Sequence, residues 1–187
     1  MIGQKTDPLL TAEEFMRLPS SKDGTKRELV RGIVVTMSAP GFLHGEVQLN
    51  IGLILKAFVK SNKLGRVTVE SGLRTHYTPD SVRGPDVAFW SVSQVPLDAQ
   101  LQGLPDGPAE LCVEVLSPSN TTREMKDKIR EYCFAGVKMV WVVDPVGHTV
   151  TVYRKPGNGL TLWEDGELSG EDVIPGFTCL VSDFFDV

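Results

Sequence analysis

Two carboxylates stand where apolar strands would normally exclude them. The run Leu111-Cys112-Val113-Glu114-Val115-Leu116 has apolar residues on both faces, the mark of a central, covered strand. Alternation puts Leu111, Val113 and Val115 on one face and Cys112, Glu114 and Leu116 on the other. Glu114 thus projects from the middle of a buried element, where an unpaired carboxylate is costly or takes up a proton. Asp86 follows Gly84-Pro85 and opens a second short apolar strand, Asp86–Trp90. If the two strands are neighbours, both carboxylates can converge on one hard cation. Mg²⁺ accepts one or two carboxylates and keeps waters for a substrate phosphate, and Mn²⁺ is the natural substitute. Such a cation activates a bound water and offsets charge on a scissile phosphate. The rival readings are a salt bridge from Lys or Arg to Glu114 and a turn or capping role for Asp86.

The segment after Glu114 supplies a cation. Thr121 or Thr122 can cap a helix running to about Ala135, with Gly136 at its C-terminal end. Met125, Ile129, Tyr132 and Cys133 form its apolar stripe, and Glu124, Lys128 and Tyr132 follow one edge of it. From that edge Lys128 can orient an attacking water or stabilise a pentacovalent phosphate. The rival is an ordinary Glu124–Lys128 surface pair.

The elements that must position these groups are legible along the chain. Thr11-Ala12-Glu13-Glu14 is a capping box for a short helix that Pro19 ends, and Ser20–Lys26 is a polar connector. Arg27–Met37 reads as two strands about Arg31-Gly32. Phe42–Lys60 has helical periodicity, with Val47, Ile51, Ile54, Leu55 and Phe58 on one face. Arg66–Ser71 and Leu73–Tyr77 are strand-like; Pro79-Asp80 and Arg83-Gly84-Pro85 mark turns, and Ser91–Ala109 reads as loop. Met139–Val143 is a second covered strand. The strand-helix-strand run 111–143 predicts a right-handed crossover between parallel strands. Thr149–Arg154 and Leu160–Trp163 predict a hairpin, and the chain closes in a turn and a short helix. The whole is an α/β chain around a mixed sheet.

In this order the residues resemble a known family. Gly84-Pro85-Asp86-Val87-Ala88-Phe89, Glu114-Val115-Leu116-Ser117-Pro118-Ser119, Lys128 with Tyr132 and Ala135-Gly136-Val137, and Trp141-Val142-Val143-Asp144-Pro145 are similar to the Uma family of restriction endonucleases. That family belongs to the PD-(D/E)XK, or restriction-endonuclease-like, superfamily. The likeness runs from Glu28-Leu29-Val30-Arg31-Gly32 to Pro175-Gly176-Phe177. It implies one nuclease-like domain over 1–187 with a core at about 27–180. It also implies a central mixed β-sheet flanked by helices, with extra N-terminal and C-terminal β-hairpins. It implies Asp86 and Glu114 as Mg²⁺ ligands, joined by the carbonyl of Val115. The superfamily lysine should stand two residues after Glu114, where this chain has Leu116. The resemblance gives that role to Lys128 on the following helix, with Lys126 less well placed. Glu28 and His44 also match positions of Uma-like sequences, as a third carboxylate and a phosphate contact or acid/base; Glu46 is the alternative on the same helical turn. His76 and His148 receive no role.

The chain has 187 residues, 41% hydrophobic and 23% charged, a composition that supports an ordinary core. A formal net charge of -5 argues against a wholly nucleic-acid-coated surface but leaves room for a local basic groove. Cys112, Cys133 and Cys179 form no CxxC pair, so they read as small hydrophobes in a reducing, cytoplasmic setting. Trp90, Trp141 and Trp163 read as core or rim packing. No signal peptide or membrane-length apolar run is expected. No phosphate-binding glycine loop and no nucleophile elbow is present in the sequence. The principal expectation is an endonuclease that cuts DNA by metal-assisted attack of water, acting as a homodimer. The alternative is a nuclease-fold module that binds nucleic acid or a protein partner without cutting, as Leu116 and the acidic balance favour. A third reading is a metal hydrolase of small phosphoesters.

Overall fold

The computed structural model describes residues 8–19, 21 and 25–186. Residues 1–7 and part of the connector over Ser20–Lys26 lie outside them. Helix α1 (Ala12–Met16) starts at the Thr11–Glu14 capping box and stops ahead of Pro19. Strands β1 (Arg27–Val30) and β2 (Ile33–Thr36) form a hairpin. Its two turn residues, Arg31 and Gly32, have φ of 51° and 79°, the left-handed pair that matches strand twist. Then come α2 (Phe42–Ser61), β3 (Gly65–Val69), β4 (Leu73–His76), β5 (Ser81–Arg83) and β6 (Val87–Ser91). A loop leads to β7 (Leu111–Val115), α3 (Thr122–Ala135), β8 (Met139–Asp144), β9 (Thr149–Lys155) and β10 (Asn158–Trp163). Two short strands, β11 (Glu167–Ser169) and β12 (Thr178–Leu180), and a 3₁₀ turn, Val181–Phe184, complete the chain.

The main sheet has the order β10-β9-β8-β7-β6-β3. β7 and β8 are parallel and joined by α3, as the covered strands predict, while the other neighbours are antiparallel. The sheet is therefore mixed. One face carries Leu111, Val113, Val115 and Trp141 against Val47, Ile51 and Leu55 of α2. The other carries Cys112 and Val140 against Met125, Ile129 and Tyr132 of α3. Gly136 ends α3 at φ 99°, where a Cβ would be strained.

A second sheet, β2-β1-β5-β4, joins the N-terminal hairpin to an insertion between β3 and β6. Strand β5 is the main departure from expectation. Arg83 reads as a turn residue beside Gly84-Pro85, yet it ends a buried strand, because β1 and β4 pair with both of its edges. The β11–β12 pair is also unanticipated; its strands are three residues each, too short to show periodicity. Trp90 and Trp141 are buried, but Trp163 is 65% exposed, since β10 is the uncovered edge of its sheet.

Helix α2 also overturns one expectation. Its 20 residues are long and apolar enough, by length and composition alone, to cross a membrane. Here Val47, Ile51, Leu55 and Val59 pack into the core, while His44 and Gln48 turn toward the carboxylates described below.

Candidate active site

The β6–β7 register places Asp86 beside Glu114. Val87 pairs with Val113, so continuing the ladder by one residue sets Asp86 opposite Glu114. The ladder ends before that pair, and Oδ2 of Asp86 accepts the Val115 amide at 2.7 Å instead. The Asp86 backbone is braced as well: its carbonyl accepts Gln48 Nε2 at 2.9 Å and the Glu70 amide at 3.3 Å. The other carboxylate oxygen, Oδ1, lies 3.2 Å from Lys26 Nζ and 3.6 Å from His44 Nε2. Val115 therefore meets Asp86 through its amide.

Glu114 is 3% exposed and meets two groups of α3. Lys128 Nζ lies 2.9 Å from Oε2, and the Tyr132 hydroxyl donates to Oε1. Lys128 and Tyr132 are one helical turn apart, so a single face of α3 presents both. Lys128 is 7% exposed and belongs to the buried stripe, where Cys133 was expected. It does not form the anticipated surface pair with Glu124. Glu124 is the capping partner of Thr121, exposed and outside the carboxylate cluster. Lys126 is exposed on the far side of the helix.

Glu28 is fully buried and closes the arrangement from β1. Its Oε1 lies 3.2 Å from Lys128 Nζ and accepts the Gly84 amide, while Oε2 accepts Arg83 Nη1 at 2.8 Å. Arg83 in turn grips Glu131 of α3 with two 2.8 Å bonds. Glu114, Lys128, Glu28, Arg83 and Glu131 thus form one continuous chain of charge. The Glu46 side chain has no hydrogen bond or ion pair among the described residues and does not line the cleft.

Burial sets the protonation behaviour, and partners modify it. Burial pushes Asp86 up, but facing His44 and Lys26 reverse the effect and hold it down at about 2. Burial likewise opposes charge on Glu28, yet Lys128 and Arg83 keep its carboxyl below the usual range. Burial raises Glu114; Lys128 resists, while Asp86 and Glu28 add to the rise. Lys128 loses charge stability through burial and regains more from Glu114 and Glu28, so its pKa is raised. Lys128 holds its proton more firmly than usual because negative charge surrounds it, and Glu114 does so first through burial and then through Asp86 and Glu28. Five carboxylates (Glu28, Glu70, Asp86, Glu114, Glu131) face three cations (Lys26, Arg83, Lys128), an excess of two negative charges.

That excess is what one divalent cation neutralises. Asp86, Glu114, His44, Lys128 and Glu70 line a common cavity of about 60 Å³, enough for an ion with a few waters. Nδ1 of His44 is buried without a hydrogen-bond partner there. Among the described residues no three His, Cys, Asp or Glu side chains enclose a metal by themselves. Asp86 and Glu114 alone would leave most of an ion's coordination to water, a demand that Mg²⁺ tolerates.

Lys26, Glu70, Gln48, Arg83 and Tyr132 were not singled out as members of this cluster. Lys26 lies at the end of a polar connector and Glu70 just past a strand, with no spacing that ties either to Asp86. Tyr132 alone had a signal, four residues beyond Lys128.

The depressed Asp86 carboxyl has a consequence for stability. Its folded value of about 2 lies below its ordinary 3.8, so the stabilisation is complete above the ordinary value. It is lost as pH falls from about 4 toward 2, by roughly 2 kcal/mol. Urea denaturation of wild type and Asp86→Asn should show the wild type losing that much more over this window. Parallel acid limbs would refute the assignment.

A family model described as "Uma2: Putative restriction endonuclease" matches residues 12–182. No curated protein matches the chain. The crystal structure of a putative nuclease belonging to DUF820 from Anabaena variabilis superposes with a TM-score of 0.80 at 21% identity, covering 94% of this chain and 97% of that one. At that identity the likeness is one of fold.

Proposed function

The chain belongs to the Uma2 family of putative restriction endonucleases, and on that premise we propose that it is a divalent-metal-dependent endonuclease hydrolysing DNA phosphodiester bonds. The observation that carries this reading is the meeting of Asp86 and Glu114 in one cleft with the Lys128 ammonium 2.9 Å from Glu114. Lys128 occupies, from a helix, the place that Leu116 leaves without a cation.

Asp86 and Glu114, with the Val115 carbonyl, would hold Mg²⁺ or Mn²⁺. The bound ion supplies a more acidic water and charge for the phosphate oxygens. Lys128, whose proton is held firmly, offers a fixed positive charge to an attacking water or a pentacovalent phosphate. Tyr132 stays protonated, because burial and then Glu114 raise its pKa, and so keeps Glu114 in place. Glu28 acts on Lys128 and is itself bound by Arg83 and Gly84, so it is a positioning residue in this reading. His44 stands over Asp86 and can meet a phosphate.

A cavity of about 560 Å³ adjoins the cleft and shares Met37, Asn120 and Lys128 with it. Arg31, Arg130 and Phe134 line it, which supports room for flanking nucleotides. Cutting both strands of a duplex takes two such sites or two visits by one, so association of two copies would serve this reading. The test is cleavage of supercoiled, linear and single-stranded DNA with Mg²⁺ or Mn²⁺. Cleavage should require the metal and vanish in Asp86→Ala and Glu114→Ala. Absence of cleavage on every substrate, with no metal binding by calorimetry, would end this reading.

A further inference from the structure

The reaction just described leaves Lys26 without a task, yet Lys26 stands on the oxygen that a metal would need. Oδ2 of Asp86 is committed to the Val115 amide, so Oδ1 is the oxygen left for a cation. Lys26 Nζ is 3.2 Å from that Oδ1 and 2.6 Å from Oε2 of Glu70. The placement is built into the fold. The Lys26 carbonyl accepts the Met37 amide at 2.8 Å, which ties its backbone to the β1–β2 hairpin. Its stem passes over Gly84, where even a Cβ would lie 3.3 Å from Lys26 Cε. Glu70 is aimed at it from the end of β3: its backbone is left-handed at φ 54°, and Gln48 Nε2 donates to its Oε1 at 3.0 Å.

We propose that Lys26 is a built-in counter-ion that competes with the divalent cation for Oδ1 of Asp86, and that Glu70 is the group on which Lys26 remains when the cation binds. The inference rests on the metal reading above. An ammonium and a divalent cation repel each other strongly at contact distance from one oxygen, so Lys26 must leave Oδ1 for a metal to take it. With no metal, Lys26 shares with His44 the pairing of Oδ1 on a buried carboxylate. The shorter contact to Glu70 gives the ammonium somewhere to stay without leaving the cleft. The side chain thus lowers the affinity for metal and stabilises the metal-free protein.

The test is Mn²⁺ binding by titration calorimetry, with thermal melts alongside, on Lys26→Met, Lys26→Gln and wild type. Lys26→Met keeps the stem and removes the charge. Both variants should bind Mn²⁺ about tenfold or more tightly than wild type. They should melt lower than wild type without metal and gain more from saturating Mn²⁺. Equal or weaker Mn²⁺ binding by folded variants overturns the proposal. Asp86→Asn in each background separates the two readings. Binding that disappears with Asp86→Asn but ignores Lys26 refutes only the competition. Binding that survives Asp86→Asn refutes the metal site and the competition together.

Discussion

Lys128→Met should produce a protein that is less stable than wild type by about 3–5 kcal/mol and cleaves at least about a thousandfold more slowly. Both effects come from one ammonium. Lys128 is buried between Glu114 at 2.9 Å and Glu28 at 3.2 Å, and those carboxylates are themselves 3% and 0% exposed. Removing the ammonium leaves two buried carboxylates short of positive charge. Arg83 still serves Glu28, whereas Glu114 keeps only the neutral Tyr132 hydroxyl. The fixed positive charge proposed for the scissile phosphate is lost in the same step.

The sign of the pH dependence distinguishes this account from a simple packing defect. In wild type Lys128 helps hold Glu28 below its ordinary value, so that carboxylate stabilises the fold above about pH 4.5. In Lys128→Met the folded-state values of Glu28 and Glu114 move upward, and the folded protein binds more protons than the unfolded chain. The variant should therefore be worst at pH 7 and recover part of its deficit by pH 5. Adding Glu114→Gln should restore stability, though not cleavage, because it removes the unpaired charge. Urea denaturation at the two pH values measures this. A deficit that is the same at both would mean that lost packing, and not lost charge, is the cause.

The difference between what sequence and structure reveal follows the range of the interactions. Glu114 was legible because alternation within one strand places it among buried neighbours, and the β7–β8 pairing follows from two covered strands flanking a helix. Asp86 was legible only through a strand partnership that spacing cannot supply, and the β6–β7 register provides it. Lys128 could be placed on α3 but not at the right depth. Its long side chain reads as a boundary residue, since a lysine is rarely buried unless paired. Here it is paired twice, by residues 14 positions upstream and on β1. Glu124 looked like its partner at helical spacing, but the capping box at Thr121 claims that carboxylate. Lys26 and Arg83 come from segments with no periodic pattern, and Glu70 ends a strand-like run that no spacing ties to Asp86. They converge because β5 joins the N-terminal hairpin to the insertion after β3, a contact between distant parts of the chain.

Arg83 is a second buried cation held by that long-range architecture, and Arg83→Met should cost about 3–5 kcal/mol. Arg83 is 8% exposed and divides its donors between Glu28 and a two-bond grip on Glu131. A methionine fills much of the space but leaves the wholly buried Glu28 with Lys128 as its remaining cation. Arg83→Lys should rescue only part of the loss, because one ammonium cannot reproduce the planar fork that serves both acids. Arg130→Met on the exposed side of α3 should change stability by less than about 0.5 kcal/mol. The effect on function should also be selective. Once Arg83 is gone, Glu28 draws Lys128 more strongly and away from Glu114, while Asp86 and its contact with Val115 are untouched. Mn²⁺ affinity should then stay within about threefold of wild type while kcat falls about 10–100-fold. Calorimetry on the folded variant, with single-turnover cleavage, separates these quantities. An equal loss of metal binding would place Glu28 in the proposed metal site itself and not behind Lys128.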